Sequence, residues 1–471
     1  MGKKVSAFTN DALGTLDAVG VAEAIAKKQV SVEEVTEAAI ARAEKANVDL
    51  SAIVVKTYAE ARNTKGLAKD GLLYGVPSFI KDNDHLEGYP TQLGTGAFSA
   101  QKAKRNSKFV NQFLSTGVSY LGKSSLPEFG LICSTENERW GITRNPWDTD
   151  YTTGGSSSGS AALVASGVVP IATANDGAGS IRIPAACCGL VGLKPSRNRL
   201  VPMDGTALMP LKIVYEGVLT RTVRDTAAFY AAAEKFYHNP RLPKLGHITG
   251  ASKERLRIAF FLNPAQGKLG HQDADTYRTQ QETAKLLQSL GHTVEQIALP
   301  IDIDGMSEHY LNYYGFMAYV MTHWDQAVLK AKVDHSLLEP FTVGLSTQFK
   351  GNALKTPGSI TKLRKAGKEV EELFSKYDVL MTPSVSHTTP RIGHFSTQLS
   401  YEVVCRRAIE FASYSALQNV TGSPAISLPL GIAGNNMPIG VHLVAPFGKD
   451  KRLIELAYEL EAAKPFRRID E

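Results

Sequence analysis

The chain has 471 residues, 43% hydrophobic and 21% charged, a balance that can bury a large core and excludes disordered and fibrous classes. With 52 Lys and Arg against 46 Asp and Glu the formal net charge is only +6, and the basic residues are scattered instead of forming the stripe that nucleic acid requires, so no nucleic-acid partner is expected. The four cysteines, Cys133, Cys187, Cys188 and Cys405, lack metal-ligand spacing and suit a reducing compartment.

In chain order, the first residues carry no apolar run behind Lys3 and Lys4, which argues against secretion. Ser31-Val-Glu-Glu34 reads as a capping box, and Val32, Val35, Ala39 and Ala43 fall at helical spacing behind it, so an amphipathic helix starts there. Short apolar runs at 52–55, 75–80, 118–121, 168–173, 258–262, 379–381 and 439–444 predict strands buried on both faces. The stretch 161–174 is interrupted by Ser166, Gly167 and Pro170, too broken to span a membrane; no membrane partner and a cytoplasmic location are expected. Helical patterns follow at 273–290, 361–377 and 452–462. The fold class is therefore α/β with a large mixed sheet, and residues 238–253 and 383–393 are surface connections too short to separate domains.

Two short motifs mislead. Gly117-Val-Ser-Tyr-Leu-Gly122-Lys123-Ser124 is formally a phosphate-binding P-loop, but such a loop needs a strand before its first glycine and a helix opening at the Lys-Ser. Here the strand-like residues lie between the glycines and Pro127 follows too soon. Gly155-Ser-Ser157-Ser-Gly159 formally matches the nucleophile elbow of α/β-hydrolases, with His387 or His442 as base, yet the polar residues 148–154 before it offer no strand.

A longer ordered set remains. Gly154-Gly-Ser156-Ser-Ser-Gly-Ser-Ala-Ala is followed by Asn175-Asp-Gly-Ala-Gly-Ser180-Ile-Arg-Ile-Pro-Ala and by Cys188-Gly-Leu-Val-Gly-Leu-Lys-Pro. Upstream stand Gly75-Val-Pro-Ser-Phe-Ile-Lys81-Asp-Asn, Gly122-Lys-Ser-Ser-Leu-Pro-Glu-Phe and Thr143-Arg-Asn-Pro-Trp-Asp. Downstream come Asp378-Val-Leu-Met-Thr-Pro, Asn419-Val-Thr-Gly-Ser-Pro-Ala-Ile-Ser-Leu-Pro and Pro438-Ile-Gly-Val. In this order, with Ser180 lying 24 residues after Ser156, the set resembles the amidase signature family over nearly the whole chain.

The resemblance implies one amidase domain over 1–471: an N-terminal helical region (1–70), a catalytic signature core (71–200), a variable substrate-lining region (201–375) and a C-terminal part of the core (376–471), with helices on both faces of a twisted mixed sheet. It implies a triad in which Ser180 is the nucleophile, Ser156, after a cis peptide, relays the proton, and Lys81 is the base. A serine hydroxyl needs such a base, and no histidine stands near Ser180 in sequence. Lys81 ends a buried strand, where desolvation favours the neutral amine; bringing a lysine from ~10.4 to ~7 costs about 4.6 kcal/mol, which the fold must supply. Gly177, Ala178, Gly179 and Ser180 would offer their N–H groups to the oxyanion. Ser157, Asp176 and Arg182 match supporting positions, and Cys188 is read as packing.

Two departures stand out: Ser158 replaces a glycine, and Asn175-Asp-Gly-Ala178-Gly-Ser stands where Thr-Asp-x-Gly-Gly-Ser is usual. The second, with Thr135-Glu136 and Trp140-Gly, resembles the branch of nylon-oligomer hydrolases, aryl acylamidases and urethanase-like enzymes. Leu208-Met-Pro-Leu-Lys-Ile-Val, standing where the amidotransferase A-subunits have Ser-Ser-Leu-Asp-Gln, argues against that branch. The implied function is hydrolysis of a C–N bond in a small amide or carbamate, without metal or organic cofactor, by a monomer or homodimer. An ammonia-releasing amidotransferase subunit and a catalytically dead binding protein are the alternatives. Between matched segments, 309–324 is rich in aromatics at helical spacing on more than one face, so Tyr313, Tyr314 and Met317 are expected to line the substrate site.

Overall fold

The computed structural model describes residues 2–137, 139–206, 209–261, 272–298 and 302–471; Leu208 and Leu262 of the sequence reading lie outside them. The strands are β1 (Ile53–Lys56), β2 (Pro77–Lys81), β3 (Ser119–Ser124), β4 (Glu136–Asn137), β5 (Gly141–Ile142), β6 (Ile171–Asp176), β7 (Val191–Lys194), β8 (Tyr215–Thr220), β9 (Arg257–Phe260), β10 (Thr293–Gln296), β11 (Val379–Pro383), β12 (Ala425–Ile432) and β13 (Pro438–Val444). Eleven of them form one mixed sheet in the order β1-β3-β2-β6-β8-β7-β12-β13-β11-β9-β10, and β4 pairs separately with β5. The sheet is flanked by helices, as the apolar runs and intervening helical patterns imply.

Local chemistry explains the elements that matter here. Ser31 caps the helix Val32–Leu50 through the expected box, its hydroxyl receiving the Glu34 N–H while Glu34 reaches back to the Ser31 N–H. Every residue of β2 and β6 is buried, which is why they read as continuous apolar runs without alternation. Gly122, Lys123 and Ser124 lie inside β3, and Lys123 is held by Asp82 at 2.6 Å with both side chains buried, so the P-loop match forms no phosphate cradle.

What positions the site is the middle of the sheet. β2 runs parallel to both β3 and β6, pairing Ser78 with Ile171 and Phe79 with Ala172. Parallel neighbours end on the same edge, so Lys81 and Asn175–Asp176 emerge side by side although more than ninety residues separate them in sequence. The helix Ser158–Ala165, buried throughout, carries the serine cluster up to that edge. Among the described residues, no helix is long and apolar enough to cross a membrane.

Candidate active site

Lys81 is 1% exposed, and its backbone N–H is fixed by Thr173 Oγ1 at 2.8 Å. Its Nζ meets three oxygens: Ser156 Oγ at 2.8 Å, Ser157 Oγ at 3.0 Å and Asn175 Oδ1 at 2.6 Å. Proton counting assigns their roles. The Ser157 hydroxyl donates to the Ser180 carbonyl at 2.6 Å, so toward Lys81 it can only accept, as can Asn175 Oδ1. A neutral amine has two N–H donors and one lone pair; with both donors committed, the lone pair is left for the Ser156 O–H. Burial pulls the Lys81 amine down to about 7, opposed by the nearby carboxyls of Glu216, Asp84 and Asp176.

The peptide between Gly155 and Ser156 is cis. Gly130 approaches this serine so closely that a Cβ there would lie 3.3 Å from Ser156 Oγ, and its φ of +68° suits glycine. Ser180, 8% exposed, faces an open cavity of about 110 Å³, and its hydroxyl makes no hydrogen bond among the described residues. Ser156 and Ser180 are therefore not bonded to one another here; such contacts often close only around substrate.

The turn 177–180 is held from behind. Asp176 receives the Gly179 N–H at 2.7 Å and the Ile181 N–H at 3.2 Å, and pairs with Arg182 through two contacts of 2.9 Å. Arg182 also reaches Asn419 Oδ1 at 2.7 Å and the Ser415 carbonyl at 2.9 Å. Burial alone would raise the Asp176 carboxyl, but the Arg182 charge and hydrogen bonds hold it well below the usual range. Gly179, at φ +123°, has no room for a Cβ, which would sit 2.4 Å from Ser415 Oγ. Since its N–H is engaged by Asp176, it is the N–H groups of Gly177, Ala178 and Ser180 that lack a protein acceptor among the described residues.

The histidines of the elbow reading are occupied elsewhere. His442 is fully buried beside Arg182, its Nε2 3.0 Å from the guanidinium and so an acceptor, and burial with that charge keeps it neutral. His387 Nδ1 bonds the Thr388 carbonyl. Cys188 is buried, with its Sγ 3.4 Å from the Thr153 carbonyl, as packing requires. Among the described residues no group of three or more His, Cys, Asp or Glu is arranged to hold a metal ion.

A family model described as Amidase matches residues 34–454. The chain belongs to the amidase family. It is a hydrolase of amide C–N bonds, and the mixed sheet is the one seen in solved amidase signature structures. A relative named "Putative amidase AmiC", from Mycobacterium leprae (strain TN), is 45% identical over 468 residues, covering 99% of each chain. The 6-aminohexanoate-cyclic-dimer hydrolase of Paenarthrobacter ureafaciens is 30% identical, covering 96% of this chain and 95% of its own. A solved structure of a 6-aminohexanoate cyclic dimer hydrolase superposes with TM-score 0.85 at 28% identity, covering 98% of this chain and 99% of its own.

In this amidase the cavity wall differs from the sequence expectation. The helix Ile303–His323 presents Ser307, Tyr310, Leu311 and Tyr314 to the cavity, spaced as one helical face. Tyr314 lies where expected. Tyr313 does not: its hydroxyl bonds the Leu211 N–H at 2.9 Å and carbonyl at 2.7 Å, and its ring is fully buried in the neighbouring core. Met317, one turn on, packs against that same cluster and does not line the cavity. Rotation about the helix axis accounts for the difference, since 310 and 314 share a face that 313 and 317 flank. Tyr310, whose hydroxyl donates to the Gly177 carbonyl and so tethers the turn 177–180, received no role in the sequence reading. Nor did Asn175, although its replacement of the usual threonine was the visible signal.

Proposed function

We propose that this amidase hydrolyses neutral, largely apolar amides or carbamates through an acyl- or carbamoyl-enzyme on Ser180. Ser180 Oγ attacks the carbonyl carbon as its proton passes to Ser156 Oγ, whose own proton passes to the Lys81 lone pair. The oxyanion takes N–H donors of the turn 177–180, and collapse expels the leaving group, the amine of an amide or the alcohol or phenol of a carbamate, which receives the proton back along the same relay. Water then repeats the sequence to release the acid. The observation carrying this reading is the commitment of both Lys81 N–H donors to Ser157 and Asn175, which aims its lone pair at Ser156.

The substrate class rests on the cavity lining. Its walls include Leu131, Ile132, Ile183, Phe341, Leu311 and Ile409, and no Asp, Glu, Lys or Arg lines it among the described residues. An ammonia-releasing subunit must bind the α-ammonium and carboxylate of glutamine or asparagine, and such charges would find no partner here. Anilides, nylon-like cyclic amides and aryl carbamates fit better. Assay of the purified chain alone is expected to give kcat/KM on these at least tenfold above that on acetamide or glutamine; equal or reversed rates would overturn the assignment.

Two further outcomes are expected. Because the neutral amine is the active form, kcat/KM should rise about tenfold per pH unit up to an apparent value near 7 and level off above it. His387→Ala should leave that limb in place. Tyr314→Ala should change the ratio of kcat/KM between bulky and small amides with little change in melting temperature. Tyr313→Ala should leave the ratio unchanged while lowering stability by about 3 kcal/mol or more, as aromatic truncation in a core does.

A further inference from the structure

The turn 177–180 is secured peptide by peptide, with one exception. The Asp176 carbonyl receives Asn419 Nδ2 at 2.7 Å. The Ala178–Gly179 peptide is fixed at both ends, its N–H by Asp176 Oδ1 at 2.7 Å and its carbonyl by the Ser415 hydroxyl. The Gly179 carbonyl takes the Ile183 N–H at 2.7 Å. The Gly177–Ala178 peptide differs. Among the described residues its N–H has no acceptor, and its carbonyl is bonded by one group, the Tyr310 hydroxyl.

Gly177 itself does not hold that peptide. It has no side chain, and a Cβ added there would meet only Val214 Cγ2 at an ordinary 3.5 Å, so its ψ is unrestrained by crowding. The carbonyl and N–H of a trans peptide point in opposite directions, so the bond from Tyr310 also decides where the Ala178 N–H points. A flip of the plane would turn that N–H away and present a carbonyl oxygen in its stead. Such a flip changes ψ of Gly177 and φ of Ala178 together. Ala178 is not among the residues at positive φ, and the flip would carry it there, which its Cβ disfavours. A glycine, usual at this position, would carry no such penalty.

We propose that Tyr310 is a positioning residue for the reaction: its hydroxyl, backed by the Cβ of Ala178, locks the Gly177–Ala178 peptide in the orientation that offers the Ala178 N–H to the oxyanion. This rests on the reading of Ser180 as the nucleophile. Ala178 and Ser180 line the cavity together, whereas Gly177 and Gly179 do not, so theirs are the N–H groups beside a bound carbonyl. Tyr310 reaches the turn from the helix Ile303–His323 and lines the cavity as well. The helix that walls the substrate thus also sets the turn on which charge develops. Burial holds the Tyr310 proton on well beyond the ordinary phenol range, so the lock persists across the working pH range.

The test is a double-mutant cycle of Tyr310→Phe, which keeps the ring, and Ala178→Gly, which frees the flip without altering the wall. Tyr310→Phe should lower kcat about tenfold with KM within about twofold, and by the same factor for bulky and small amides, because every tetrahedral intermediate carries the same oxyanion. Affinity for an aryl trifluoromethyl ketone, which forms a hemiketal oxyanion on the serine, should fall by a similar factor, while the acid limb of kcat/KM stays where it is. Ala178→Gly should lower kcat about threefold and the double variant about a hundredfold, more than the product of the singles, because both changes feed one flip. A kcat within about twofold of wild type in Tyr310→Phe, a loss that differs between bulky and small amides, or a double variant no worse than the product would overturn the proposal. Failure of the underlying reading looks different: Ser180→Ala would retain turnover, whatever Tyr310→Phe does.

Discussion

Ser180→Ala and Lys81→Met are each expected to lower kcat by about 10⁴-fold or more, with the double variant hardly worse than either single, because members of one proton relay fail together. The folded state should survive the serine change, since the Ser180 hydroxyl makes no hydrogen bond among the described residues and faces an open cavity. Lys81→Met replaces an amine already pulled toward its neutral form by a side chain of similar length, although Ser156, Ser157 and Asn175 each lose a partner. Kinetics with matched circular dichroism check both variants. Mass mapping of a sulfonyl fluoride adduct should place it on Ser180. Retention of a tenth of wild-type turnover by Ser180→Ala would end the assignment.

The largest stability effect is expected at Asp176. Its carboxylate and Arg182 are both fully buried, and Asp176→Ala leaves the guanidinium charged, desolvated and without its counterion. Breaking such a pair costs about 3–5 kcal/mol, against a total stability of roughly 5–15 kcal/mol for a typical domain. Urea unfolding should show it directly. Activity should fall further than stability explains, because the Gly179 and Ile181 N–H groups lose the anchor that shapes the turn. The pH signature is distinct as well. The native Asp176 carboxyl is held low, so its contribution is complete above the ordinary carboxylate range and fades only in stronger acid. Lys81 acts in the same direction but in another window: the unfolded chain holds its proton up to about 10.5 and the folded one only to about 7, so stability should climb between those values.

The central strands were legible because they are buried on both faces and rich in branched apolar residues; β2, β3, β6, β11 and β13 fall within a few residues of their expected positions. β7, β8, β10 and β12 were not, each for a physical reason. β12 contains Pro429 and Gly431, β8 carries Glu216 and Gly217, β7 is four residues with a glycine inside, and β10 is a largely exposed edge strand. The helix expected from Thr361 begins at Thr356, with Pro357 in its first turn, where a missing N–H costs nothing. At the site, the residues of the Gly- and Ser-rich turns were readable because few side chains tolerate such close backbone approach. Asn175 and Tyr310 are brought to the site by strand register and helix rotation, which composition and short motifs do not encode.

Lys81 and Asn175 stand on two adjacent parallel strands, with Ser156 and Ser157 brought to them just before the helix Ser158–Ala165, whereas much of the cavity wall comes from the helices Ile303–His323 and Tyr401–Phe411, far away in the chain. Reaction and selectivity are therefore separable in an engineering sense. A library at Leu311, Ala408 and Ile409 would reshape the space offered to a leaving group without touching a strand. Tyr310 should be excluded from it, because its hydroxyl couples the wall to the carbonyl of Gly177. Repacking one of these helices would alter the cavity while leaving the strands that carry Lys81 and Asn175 as they are.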